Sequence, residues 1–456
     1  TSLRLQAQSE RRLSVKCINI FNYVVCATVP FLFIILRERA GNKCFFATIH
    51  FFEIDRMELS AWLAKRREIR YNDDSFKKEK TGGYMEKNEI LMIYGKDFKG
   101  ITRKVLEEAD LKSRIPSRKS RIGIKPNLVS PSEASWGATT HPEVVAGIIE
   151  YLQESGFENL VMLEGSWVGD RTGEAVEVCG YDRLSKTYGV PFLDMQKDTS
   201  SLKMCGGMEL KICDQVEALD FLINVPVMKG HCQTKITCAL KNMKGLIPNS
   251  EKRHFHAIGL HAPIAHLALG IHQDFVVVDN ICGDWDFEDG GNPVVMNRVM
   301  AAVDPVLTDA WVCHLMGYAV EEVPYITMAQ ELGAGCADWK KAKVRELNRP
   351  EEEAVVPKNR KIVELQDAVE EVESCSACYG YLIPALDRLK EEGLFSKLQE
   401  KICIGQGYRG KEGHLGVGSC TRRFCHSLEG CPPTEEQIYE FLKKYLEEKD
   451  ALREIE

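Results

Sequence analysis

Residues 122–164 read IGIKPNLVSPSEASWGATTHPEVVAGIIEYLQESGFENLVMLE, and this stretch decides the fold. Two apolar runs, at 120–124 and 160–163, bracket a helical pattern at 141–155. Thr140 is placed to cap that helix, and Pro142 takes its first position, where a missing N–H costs nothing. The same rhythm continues outward. A strand at 89–94 and a helix at 101–109 come before, and strands at 221–225 and 275–278 come after, each apolar enough to be buried on both faces. Strands alternating with helices predict an α/β fold, a largely parallel sheet with flanking helices. No internal repeat is found at solenoid periods.

The chain has 456 residues, 44% of them hydrophobic and 28% charged. That length suits two or three domains, and the composition excludes disorder, collagen and a polytopic membrane protein. The charge is unevenly spread. Residues 1–84 carry 15 Lys+Arg against 9 Asp+Glu, whereas the remainder carries 44 against 58, a net −14. A body that acidic is a poor general binder of nucleic acid or of an anionic membrane. Residues 17–36 form an uncharged run preceded by Arg11, Arg12 and Lys16, long enough for one spanning helix. The chain opens on Thr1, however, and residues 1–84 pass through aromatic, basic and apolar blocks without helix or strand periodicity. A start at Met85 is favoured, with 1–84 as translated upstream sequence and a cytoplasmic protein. The alternative is an authentic N-terminal anchor, the one route to a membrane.

From Met85 onward the expected organisation is an α/β core over 85–336, a charged connector over 337–372 and a small cysteine-rich α+β domain over 373–456. The last shows a helix at 377–391, a strand at 401–404, a glycine-rich loop and a closing amphipathic helix at 434–446.

Six of the seventeen cysteines fall in this tail: Cys375, Cys378, Cys403, Cys420, Cys425 and Cys431. Cys375-x-x-Cys378 lets two thiolates face one metal or cluster from a single turn. Cys420 leaves a glycine-rich loop where backbone can approach closely, and Cys431 precedes Pro432-Pro433, a Cys-Pro step also seen beside iron–sulfur ligands. Cys375, Cys378, Cys420 and Cys431 therefore suggest a [4Fe–4S] cluster. Structural zinc and disulfides remain open, since four thiolates also suit tetrahedral Zn²⁺ and six is an even number. Cys403, inside an apolar strand, reads as core, and Cys425 as a substitute ligand. Gly405-Gln-Gly407-Tyr-Arg-Gly410 matches a dinucleotide fingerprint, but the next residues, KEGHLGVGSC, cannot form the helix that should hold the pyrophosphate.

Residues 224–245, NVPVMKGHCQTKITCALKNMKG, gather Lys229, His231, Lys241, Asn242 and Lys244 just after a buried strand, where ligands collect in open parallel sheets. Lysines and threonine hydroxyls there would hold a small carboxylate or phosphate, although a solvated lysine-bearing helix is equally compatible with composition. Lys125 and Asn127, Glu164 and Asp279 come after other strands, and Thr139, Thr140 and His141 are placed nearby. Lysine, asparagine and carboxylates at one edge could serve as base, acid and clamp. His254-x-His256 would be a metal pair only with a third ligand, and none is spaced for it.

These motifs resemble those of the iron–sulfur branch of a bacterial and archaeal family named domain of unknown function 362. The resemblance rests on IKPNLV (124–129), ATTHPEVV (138–145), Glu164-Gly165, NVPVMKGH (224–231), ITCALKNMKG (236–245), VVVDNICG (276–283) and TDA (308–310). It implies an iron–sulfur protein of the kind described from anaerobes and assigns no catalytic residues. The compact Cys-x-x-Cys-x-x-Cys-x-x-x-Cys-Pro run of ferredoxin-type members is missing, which bears on cluster number and type.

Two functions are expected as alternatives. In one, the cluster serves an enzyme whose anionic substrate is held by Lys125, Lys229 and Lys241; in the other, the chain carries a cluster or passes electrons to a redox partner. An enzyme needs the cysteines close to the Lys229 pocket, and cysteines set behind the connector would favour the carrier. A zinc-stabilised binding module is the third possibility.

Overall fold

The computed structural model describes residues 85–350 and 361–453, together with the backbone of four earlier strands. It divides into two units, Thr1–Gly83 and Tyr84–Glu456. In the first, Lys16–Ile20, Tyr23–Thr28, Phe31–Ala40 and Lys43–Glu53 form an antiparallel sheet in that order. The described residues of the apolar run 17–36 fall on strands instead of the spanning helix its length allowed, and no helix among the described residues is long and apolar enough to cross a membrane.

The second unit is built on an eight-stranded sheet. Its spatial order is Lys343–Glu346, Glu89–Tyr94, Pro293–Ala302, Phe275–Asp284, Phe221–Val225, Ile122–Pro126, Leu160–Glu164 and Phe192–Asp194. Seven of these strands point one way and Pro293–Ala302 runs against them. From Ile122–Pro126 the chain moves outward through Leu160–Glu164 to Phe192–Asp194. It then returns to Phe221–Val225, beside its starting strand, and continues in the opposite direction. A crevice opens beyond the carboxyl ends of strands at such a reversal, and this one positions the site.

Both faces of the sheet are covered, which is why its strands are apolar at nearly every position. Successive residues alternate between two cores. Leu91, Ile93, Met162 and Val277 pack with Val105, Val144, Ile148 and Leu152, while Ile90, Met92, Val161, Leu163 and Val278 pack with Leu240, Phe255, Ile264 and Val306. The helix expected at 141–155 spans Pro142–Glu154, with proline in its first turn, Glu143 favouring the positive end of the helix dipole, and Val144, Val145, Ile148, Ile149 and Leu152 on its buried side. Its cap position is His141, not Thr140. The Thr140 hydroxyl accepts from Asn127 N and donates to Val225 O, both at 2.8 Å, and so ties together the two strand ends that flank the crevice.

The described parts of the stretch read as a connector carry regular elements. Lys343–Glu346 adds an edge strand beside Glu89–Tyr94, while Lys361–Gln366 and Val369–Glu371 open the fold of the tail. Its charges hid the edge strand, since Lys343, Arg345 and Glu346 face solvent, as edge residues do.

In the tail, Val369–Glu371, Ile402–Ile404, Leu415–Val417 and His426–Leu428 pair in parallel. Leu382, Ile383 and Leu386 of helix Ser376–Glu391 and Ile438, Leu442 and Leu446 of helix Glu435–Arg453 share a core with these strands. Two strand-turn units repeat at thirteen residues, a period shorter than those of solenoid repeats. Ile402-Cys-Ile-Gly405-Gln matches Leu415-Gly-Val-Gly418-Ser, with φ of +119° and +98° at the glycines and a single 3-10 turn after each. The Gly405–Gly410 fingerprint therefore runs into a 3-10 turn, with no helix to receive a pyrophosphate.

Candidate functional site: a lysine-lined crevice beside four cysteines

The floor of the crevice is a buried polar network. Lys125 and Glu164, at the ends of neighbouring strands, form an ion pair away from solvent. The Lys125 ammonium also donates to Pro126 O and to Asn242 Oδ1, both at 2.8 Å, which occupies all three of its protons. Asn242 accepts from Asn127 Nδ2 at 2.9 Å and donates to Asn224 Oδ1 at 2.7 Å. Burial pushes Glu164 up and Lys125 down, against the pull of their pairing.

The segment bearing Asn242 is seated by backbone contact. The short helix Ala239–Asn242 is fixed by Asp309, whose carboxylate accepts from Ala239 N at 2.7 Å and Leu240 N at 3.1 Å. At Gly245 a Cβ would fall 1.9 Å from Glu164 Oε1 and 2.8 Å from Lys125 Nζ. Only glycine fits there, because the chain lies directly on the ion pair.

Above this floor is a cavity of about 200 Å³. Lys125, Asn127, Glu164, Lys229, His231 and Lys241, six of the residues singled out from strand ends and from the 224–245 segment, line it. Lys229 donates to Ala138 O at 2.6 Å and Glu288 O at 2.7 Å. Burial and the neighbouring Lys241 ammonium bring Lys229 down to about 7, and burial and Glu288 push Asp289 up to about 6. An amine and a carboxyl poised near neutrality suit proton transfer.

Asp279 stands apart from the cavity. It lies inside the long strand Phe275–Asp284, accepting from His141 N at 2.7 Å and meeting His141 Nδ1 at 2.8 Å. Burial disfavours the imidazolium, but the Asp279 carboxylate outweighs it and holds His141 up at about 10.

Lys252, Glu288 and Asp289 also line the cavity and carried no legible signal, Lys252 because it lies on the helix Asn249–Ile258 and Glu288 and Asp289 because they lie in the loop between the strands Phe275–Asp284 and Pro293–Ala302, past the strand end read at 278. Lys252 donates to Gly165 O and Ser166 O at 2.8 and 2.7 Å. His254 and His256 do not form a pair. They sit two residues apart on the helix Asn249–Ile258, His254 exposed and His256 lining the cavity. Among the described residues, His231, Cys232 and Glu288 bring ligand atoms within 4.8 Å of one another. His231 Nδ1 already accepts from Gln233 N and Thr234 N at 3.0 and 3.2 Å, leaving Nε2 to face Glu288 at 3.3 Å.

The four cysteines Cys375, Cys378, Cys420 and Cys431 are brought together at the carboxyl ends of the tail strands. Cys375 caps the helix Ser376–Glu391 and Cys378 lies in its first turn; Cys420 sits in the 3-10 turn after Leu415–Val417, and Cys431 comes after His426–Leu428. Burial first, then repulsion from the other three sulfurs, pushes the Cys378 thiol up to about 12. Cys375 is raised by burial and by Cys420 and Cys431. Gly418 lets backbone pass close, since a Cβ there would be 3.5 Å from Cys378 Sγ. Gln406 Nε2 lies 3.6 Å from Cys375 Sγ, and the Arg409 guanidinium hydrogen-bonds Cys420. All six tail thiols are free; Cys403, expected in the core, is half-buried beside the Tyr408 hydroxyl, and Cys425 is exposed.

Residues 122–314 match the family described as Domain of unknown function (DUF362). The match begins at the strand of Lys125 and ends in the helix of Asp309, so it spans the crevice floor, and it supports the family that the motifs resemble. A thylakoid-associated protein of Synechocystis sp., sll1697, is 24% identical over 220 residues, which are 47% of this chain and 68% of that protein. The lactate racemase apoprotein of Thermoanaerobacterium thermosaccharolyticum is 14% identical at a TM-score of 0.37, covering 51% of this chain and 57% of its own.

The tail reaches back onto the matched region. Gly380, Tyr381 and Pro384 of the helix Ser376–Glu391 line the cavity, as does Glu435. A Cβ at Gly380 would come within 3.9 Å of Glu288 Oε1. Gln406 spans the two parts, donating to Ala257 O at 2.8 Å beside Cys375.

Proposed function

We propose that this chain is an iron–sulfur enzyme acting on a small carboxylate or phosphate compound in the DUF362 crevice, with one [4Fe–4S] cluster in its cysteine-rich tail. The observation that carries the reading is the shared helix Ser376–Glu391. Its first turn bears Cys378, and three residues later, about 4.5 Å of helix rise, Tyr381 lines the cavity. Cysteines and substrate pocket are adjacent, which favours an enzyme over a carrier whose cysteines stand apart.

The donor set suits the group. The Cys375 and Cys378 thiols, raised by burial and by the neighbouring sulfurs, need a positively charged partner to become thiolates. Cys375, Cys378, Cys420 and Cys431 would hold the cluster, which when bound supplies electron transfer or Lewis acidity.

The chain's own residues then have separate tasks. Lys229 and Lys241 bind the anion, Lys229 and Asp289 exchange protons with it, and Lys125 with Glu164 keeps the wall rigid. The helix Ser376–Glu391 closes one side against water. A cytoplasmic location and a redox partner protein belong to this reading.

Anaerobic iron and sulfide analysis of wild type against Cys378→Ser and Cys431→Ser tests it. Iron and sulfide are expected in wild type and lost in both variants; zinc without sulfide, or unchanged iron in both variants, would overturn the assignment.

A further inference from the structure

The five lysines of the cavity are not equivalent. Lys125 has its three protons taken by protein acceptors, and Lys229 and Lys252 each donate to two backbone carbonyls. Lys241 and Lys244 differ. Lys244 has His256 Nε2 alone, at 3.4 Å, and Lys241 has no hydrogen-bond partner among the described residues, although both line the cavity. Three residues apart on consecutive helical turns, they present their ammonium groups to the same side.

The cavity carries five lysines against the carboxylates of Glu164, Glu288, Asp289 and Glu435, an excess of one positive charge when all are ionised. Among the described residues no arginine lines it. Arginine's rigid two-pronged fork pairs with carboxylate and phosphate alike, whereas lysine ammonium groups are point charges that can converge on a tetrahedral group from several sides. The space, about 200 Å³, lies below that of pockets for drug-sized ligands, roughly 300–1,000 Å³, and admits a small molecule.

We infer that the occupant is a small phosphate monoester, its dianionic phosphate held between Lys241 and Lys244; this rests on the reading of the crevice as an anion pocket. Lys241 has no hydrogen-bond partner among the described residues and Lys244 has one, so between them they keep most of their N–H donors for the dianion, while Lys229 keeps one and Lys125 none.

The test is calorimetry on the full chain with glycerol 3-phosphate, inorganic phosphate, malonate and acetate, repeated with Lys241→Gln and Lys244→Gln and checked by phosphorus NMR. Glycerol 3-phosphate should bind most tightly, malonate and acetate at least about tenfold more weakly, and each substitution should weaken phosphate binding by about tenfold or more. Since Lys241 has no partner to orphan, Lys241→Gln should melt at the wild-type temperature. Malonate binding as tightly as the phosphates, and lost in the same variants, would overturn the phosphate inference while leaving the anion pocket standing. Inorganic phosphate binding without the ester would overturn the ester assignment. Binding unchanged in both variants would place the phosphate elsewhere and overturn the inference, and no binding of any anion would overturn the anion pocket with it.

Discussion

The ammonium of Lys125 and the carboxylate of Glu164 meet at the ends of adjacent parallel strands, both withdrawn from solvent, with the backbone of Gly245 resting on them. Removing one partner strands the other charge in the interior. Lys125→Met should cost about 3–5 kcal/mol in urea denaturation, and the double variant Lys125→Met with Glu164→Leu should recover most of that loss. A double variant as unstable as the sum of its singles would show that the two do not act as a pair.

Gly245→Ala should destabilise by about 1–3 kcal/mol, because the added methyl would stand 1.9 Å from Glu164 Oε1. Anion affinity should fall with it, since Lys241 and Lys244 are carried on the same segment. Wild-type stability with wild-type affinity would contradict the close seating.

The His141–Asp279 pair has a pH signature. Its folded pKa, held up at about 10, lies above the usual 6.5, so its stabilisation is complete below about pH 6.5 and is lost as pH rises towards 10. The cost of His141→Gln should be largest near pH 6, about 2–4 kcal/mol, and should shrink steadily to alkaline pH. A cost independent of pH would mean that packing, not charge, holds the residue.

Among the tail cysteines, Cys403→Ser and Cys425→Ser should retain wild-type iron, since Cys403 faces Tyr408 and Cys425 faces solvent. Gln406→Leu should keep iron but lower the midpoint potential, because Cys375 loses an N–H donor to its sulfur. Equal iron loss in Cys403→Ser and Cys378→Ser would redraw the ligand set.

Strands and helices with both faces buried were legible, because alternating or continuous apolar residues have few other uses: 89–94 and 221–225 emerge with the bounds read from the sequence. Edge and hairpin strands were not. Ser200–Cys205 and Met208–Cys213 form a two-stranded ribbon whose exposed Leu202 and Met204 break the alternation. The site was legible where a residue stands at the carboxyl end of a buried strand, as Lys125 and Glu164 do. Asp279 shows the limit of that rule, for the strand did not end at 278 but ran on to Asp284. Lys252, Glu288 and Asp289 reach the cavity through tertiary packing, which no local pattern encodes.

The strand Lys343–Glu346 lies along the border of the large sheet, while Val369–Glu371, a little further along the chain, opens the small one. A gene cut after residue 336 would thus expose the whole length of Glu89–Tyr94 as a raw edge, an invitation to edge-to-edge aggregation. It would also strip one wall from the cavity. The halves are parts of one machine that must be made together, and attempts to study the crevice on a truncated chain would meet precipitate before chemistry.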